Sequence, residues 1–81
     1  MKQSTLNRLT VDSTFYDSEL FKYFVSKVYK DQNGAVNGVQ ASCVWENDYG
    51  GFSERKYLSR KELLTEEYDD EFVDIEEERD I

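Results

Sequence analysis

At 81 residues the chain is near the lower size limit for one self-sufficient hydrophobic core, so a single small domain over 1–81 is expected and a two-domain enzyme with a cleft is not. Apolar residues make up 38% and charged residues 35%, which keeps the core small, although 15% aromatic residues supply much buried area per side chain. The formal charge is −8, histidine is absent and Cys43 is the one cysteine, which removes the commonest general base, the usual zinc-ligand sets and any internal disulfide.

Residues 1–14 are mostly polar, with Leu6, Leu9 and Val11 as their larger apolar groups, and read as a loosely ordered arm or an edge strand. They contain no apolar run long enough for a secretory signal, and no stretch of the chain approaches the roughly 20 apolar residues of a membrane span. A cytoplasmic protein without membrane contact is expected, and a lone cysteine fits a reducing compartment.

From Phe15 to Lys30 two periodicities coexist. On a helical wheel Leu20, Phe21, Phe24, Val25, Val28 and Tyr29 share one half, with Asp17 as a candidate N-cap. As a strand, the same stretch is rich in aromatic and β-branched residues. Asn33-Gly34 favours the strand, because this dipeptide suits a type I′ hairpin turn. A hairpin centred there pairs Val28 with Val39, Ser26 with Ala41 and Phe24 with Cys43. Val39, Ala41, Cys43 and Trp45 alternate with Gln40, Ser42 and Glu46, the clearest strand signal in the chain, which Trp45 ends. Cys43 then reads as a small core residue.

The run Asn47-Asp48-Tyr49-Gly50-Gly51 marks a second turn and 52–58 a third strand. Ser59-Arg60-Lys61-Glu62 matches a capping box, so a helix is expected from about 60, with Leu64, Tyr68, Phe72 and Ile75 as its apolar stripe. The expected fold is α+β: a three-stranded antiparallel sheet (21–31, 36–46, 52–58) with a C-terminal acidic helix.

Charge is strongly segregated along the chain. Met1 to Lys61 holds nine basic and seven acidic residues, whereas Glu62 to Ile81 holds eleven acidic residues against Arg79 alone. Such asymmetry points to an interaction role for the acidic end. If helical, 62–80 would carry about one net charge per 2.8 Å, against about one phosphate per 3.4 Å along a DNA strand; fully extended, the spacing widens to about 6 Å. The pattern is similar in kind to that of DNA-mimic inhibitors from phages and mobile elements, such as anti-restriction and anti-CRISPR proteins. The likeness is one of charge alone, without a shared motif. It implies a non-catalytic protein that fills the basic groove of a nucleic-acid-binding partner through Glu66, Glu67, Asp69, Asp70, Glu71, Asp74, Glu76, Glu77 and Glu78.

An alternative from another class is a regulatory interaction module with aromatic anchors, Trp45 and Tyr49, and a merely solubilising tail. Catalysis and metal binding find little support, because a solvated acidic run encloses no pocket and no calcium-loop spacing is present. No cofactor is expected. Lys22, Lys27, Lys30, Arg55, Lys56, Arg60 and Lys61 with Tyr23, Tyr29 and Tyr57 suit a sheet face that holds single strands. An attached segment of charge −10 would compete for that face, so direct nucleic-acid contact is not expected.

Overall fold

A computed structural model describes residues 1–47 and 50–76. The chain forms α1 (Gln3–Leu6), β1 (Thr14–Tyr16), β2 (Lys22–Lys30), β3 (Val36–Asn47), β4 (Gly50–Ser59) and α2 (Arg60–Leu63). The strands make one four-stranded antiparallel meander in the order β1-β2-β3-β4. Among the described residues no helix is long and apolar enough to cross a membrane.

The expected strands all form, with one more, β1, pairing Phe15 with Tyr23. The β2–β3 hairpin keeps the expected Val28–Val39 pair but not the others. A bulge between Val25 and Lys27 shifts the register by one, so that Val25 faces Ala41, Phe24 faces Ser42 and Tyr23 faces Cys43. Because strand side chains alternate, that one residue sends Tyr23 and Val25 into the core and turns Phe24 to the opposite face. The turn also differs from type I′. Gly34 has φ +81°, whereas Asn33 is not among the residues with positive φ. Asp31 N donates to Ala35 O (2.9 Å), closing a three-residue loop, and Asp31 Oδ1 accepts from the Asn33 and Ala35 amides.

Asp17 caps a turn rather than a helix. Its Oδ1 accepts from the Glu19 and Phe21 amides (2.9 and 3.0 Å), and its Oδ2 accepts from the Tyr23 hydroxyl (2.9 Å), so its buried carboxylate is fully engaged at the β1–β2 connection. Residues 1–14 are no loose arm. Leu6 and Leu9, one turn apart, are buried with Met1 in the core, which stabilises a four-residue helix too short to persist alone.

The capping box at Ser59 is present: Glu62 N donates to Ser59 Oγ, and Ser59 N donates to Glu62 Oε2. The helix it opens ends at Leu63, however, so the acidic segment is not the long helix expected. The free edge of β1 supplies the reason, because its backbone groups need partners. Thr14 and Asp74 exchange two amide–carbonyl bonds (2.9 Å each), Asp69 N donates to Tyr16 O (3.0 Å) and Ser18 N donates to Glu67 O (2.7 Å). Residues 65–76 thus form a strap along β1. The buried apolar positions become Leu63 and Tyr68, with Val73 and Ile75 packed against them, while Leu64 and Phe72 of the expected stripe are exposed.

Tyr68 stands edge-on to both Phe15 and Tyr23 (5.7 Å each), and those two rings stack in parallel at 5.1 Å. Burial, then the bond to Asp17, pushes the Tyr23 phenol far above its ordinary value; burial, then the nearby Glu67 charge, pushes Tyr68 up to about 12. The folded state therefore favours both neutral phenols. Their contribution to stability is full below the unfolded value of about 10 and is lost as pH rises through the raised ones. Alkaline titration should show part of the phenolate absorbance appearing late, together with loss of the β-sheet circular dichroism. Complete tyrosine ionisation near pH 10 with the sheet intact would contradict this packing.

Candidate functional site

The strap fixes where the acidic residues stand. From Glu62 to Glu76 the chain carries eight carboxylates and no basic side chain. Besides its bonds to β1, the strap is held by the N-terminus: the Met1 ammonium donates to Thr65 O (2.8 Å) and Tyr68 O (2.6 Å). Farther along, Glu76 N donates to Ser13 Oγ (3.2 Å) and Thr10 Oγ1 donates to Glu76 O.

Two of the predicted partner-binding carboxylates are engaged in hydrogen bonds within the fold. Asp70 accepts the Lys2 amide through both oxygens (3.0 and 2.9 Å). Partial burial opposes its ionisation, but the Lys2 amide, the Thr5 hydroxyl and the N-terminal charge hold its carboxyl below the ordinary value. Asp69 Oδ1 accepts from Glu71 N (2.9 Å). Glu66, Glu67, Glu71, Asp74 and Glu76 are exposed, and the one ion pair among the described residues is Lys56–Glu54 (3.9 Å), outside the strap. The carboxylates line an edge rather than converge: among the described residues no three acidic or cysteine side chains group to hold a metal ion. Glu77 and Glu78 lie outside the described residues, as does Tyr49.

Trp45, the other expected anchor, is half-buried against the core and stands edge-on to Phe21 (6.3 Å). Beside it are Val44, Phe24 and Leu20, lining one shallow recess with Glu19 and Lys22. Leu20 is 70% exposed and has φ +67°, a left-handed conformation that a leucine rarely adopts, imposed by the turn around Asp17.

The sheet face opposite the core is the feature that sequence reasoning assembled only in part. Alternation and register place on it Thr14 and Tyr16 of β1, Lys22, Phe24, Lys27 and Tyr29 of β2, and Gln40, Ser42 and Val44 of β3. Glu46 of β3 takes a position of the same parity, and Ser53, Arg55 and Tyr57 of β4 complete it. Of the basic and aromatic residues gathered from the sequence, Lys22, Lys27, Arg55, Tyr29 and Tyr57 are here. Tyr23 is in the core, and Arg60 donates to Val36 O (2.8 Å) and Asn7 Oδ1 (3.2 Å). Phe24 was missed because the bulge that turns it outward leaves no composition signal.

Neither a family model, nor a curated protein, nor a solved structure matches the chain.

Proposed function

We propose that the protein is a cytoplasmic, non-catalytic inhibitor that imitates nucleic acid, its acidic strap occupying the basic groove of a nucleic-acid-binding protein. The observation that carries this reading is that the strap is pinned along β1 and by the N-terminus, so its carboxylates are presented from fixed positions without intervening cations. A solubilising tail needs no such attachment. The strap is neither a helix nor a strand but a run of turns and bends with isolated bridges at Tyr68 and Asp74, so its carboxylates lack the even spacing of the phosphates along one strand. The imitation is therefore of a negative field along an edge, not of phosphates one for one.

A second reading keeps its own support. The recess at Leu20, Phe21 and Trp45 exposes apolar groups beside the hydrogen-bonded turn at Asp17, as a protein-docking anchor would. Titration against a captured partner at about 50 and about 300 mM salt separates the two, since Debye lengths fall from roughly 14 to 6 Å over that range. Under the mimic reading affinity drops steeply, nucleic acid competes, and the combined change Glu66→Gln, Glu67→Gln, Glu71→Gln and Asp74→Asn weakens binding far more than any single change. Asp70 is left intact because its loss would release Lys2. Affinity that is flat in salt and lost on Trp45→Ala or Leu20→Ser would favour the apolar recess and reject the mimic.

A further inference from the structure

The open sheet face differs from the rest of this acidic molecule in three ways. Its strand positions carry the cations Lys22, Lys27 and Arg55 against a single carboxylate position, Glu46 of β3 in register with Gly51; Glu19 stands at its β1–β2 end. Its rings are exposed, with Phe24 at 40% and Tyr57 at 54% of their full accessibility, although Phe24 sits on an interior strand where burial was available on the other face. Finally, the rings are positioned. Lys22 Nζ lies 5.0 Å from the Phe24 ring centre and Lys27 Nζ 5.1 Å from that of Tyr29, while Tyr29 and Tyr57 meet edge-to-face at 5.7 Å.

Gly38 is part of this arrangement. It lies on β3 between Tyr29 and Ser59 in register, and a Cβ there would overlap the Tyr57 phenol. The missing side chain lets the Tyr57 ring lie across the middle of the sheet.

We propose that this face binds single-stranded nucleic acid, its bases stacking on Phe24 and on the Tyr29–Tyr57 pair, and its phosphates reaching Lys22, Lys27 and Arg55. Cations alone would suit any polyanion. Rings paired with cations and set apart by about 15 Å along β2 suit one whose charged backbone alternates with flat bases. Direct contact is not expected from the sequence because an acidic segment of charge −10 would compete for the face and repel phosphates. That segment is instead hydrogen-bonded to the outer edge of β1 and reaches the face at Phe72, edge-on to Tyr16 (6.3 Å), and at Asp74, bridge-paired with Thr14. Arg55 on β4 is three strand spacings from β1, roughly 14 Å, beyond the physiological Debye length of about 8 Å. Engaging this face leaves the strap's edge open to a protein partner, so the inference does not depend on the mimic reading.

Fluorescence anisotropy with a labelled mixed-sequence oligonucleotide tests it, using DNA and RNA forms and the matching duplex. Binding to at least one single-stranded form is expected, with log affinity falling against log salt with a slope of about −2 for three phosphate contacts. Phe24→Ala and Tyr57→Ala should each weaken it on the order of tenfold or more, with the fold intact by circular dichroism because both rings are exposed. Gly38→Ala, by displacing Tyr57, should weaken it similarly, and Arg55→Ser should flatten the salt slope. Neutralising Glu66, Glu67, Glu71 and Asp74 should leave this binding equal or stronger, which separates it from any failure of the mimic reading.

No single-strand binding at low salt would overturn the proposal. So would equal duplex affinity that ignores Phe24→Ala and Tyr57→Ala. Sedimentation showing self-association abolished by Tyr57→Ala would assign the face to the acidic strap of a second copy and overturn it likewise.

Discussion

Phe15→Ala should abolish cooperative folding at room temperature. The residue is fully buried on β1, stacked on Tyr23 of β2 and edge-on to Tyr68 of the strap, so one side chain joins three segments distant in sequence. Removing a buried phenylalanine costs about 3–5 kcal/mol, and losing its two ring partners makes the upper end the better guide. A chain of 81 residues has roughly 4–12 kcal/mol in total. Tyr68 would lose a ring that anchors the strap, and Tyr23 the stack that helps aim its hydroxyl at Asp17. Urea titration followed by circular dichroism is the measurement. Phe15→Leu, which fills most of the volume, should remain folded with a lower midpoint. A native-like transition for Phe15→Ala would show that the three-ring cluster is not central. Trp45→Ala should cost less than the cost of a fully buried tryptophan, because Trp45 is half-buried where the apolar face was expected to close over it.

What the sequence made legible was local. The alternation of Val39, Ala41 and Cys43 placed β3 and its inner face correctly, and the capping box placed the start of α2. Each rests on residues a few positions apart. What escaped reading depends on long-range pairing. No residue near 62–76 announces that the Thr14 and Tyr16 backbone lacks partners, yet that deficit ends the helix at Leu63 and lays the strap along β1. The bulge at Ser26 is similarly silent. Both ordinary pairing and bulged pairing bury apolar residues, and the choice decides whether Phe24 or Tyr23 enters the core. In the structure Tyr23 has a buried partner for its hydroxyl in Asp17, and the aligned rings of Phe15 and Tyr68 accept it. The candidate site inherits the same division. The acidic residues were evident from composition, but their placement, and the structural use of Asp70, were not.

Ending the chain at Lys61 should leave it unfolded, a second large effect and one that changes how the acidic segment must be tested. Charge segregation invites treating residues 62–81 as a detachable module. The fold opposes this, because Leu63 and Tyr68 are buried and Val73 and Ile75 pack beside them. Fully burying one such side chain is worth roughly 1.5–3 kcal/mol, so losing the set rivals the roughly 4–12 kcal/mol available. Truncation also strands backbone groups on β1 and removes the carbonyls that receive the Met1 ammonium. Thermal melts and amide exchange should therefore show no cooperative core in the truncated chain. Loss of any binding activity on truncation would then say nothing about charge. The full-length chain with Glu66, Glu67, Glu71 and Asp74 neutralised in place should melt close to the native protein, because these side chains are exposed and make no described bond to the core. If the chain ending at Lys61 instead melts cooperatively, the strap is an accessory to a self-sufficient sheet, and its attachment along β1 loses its force as support for an ordered acidic edge.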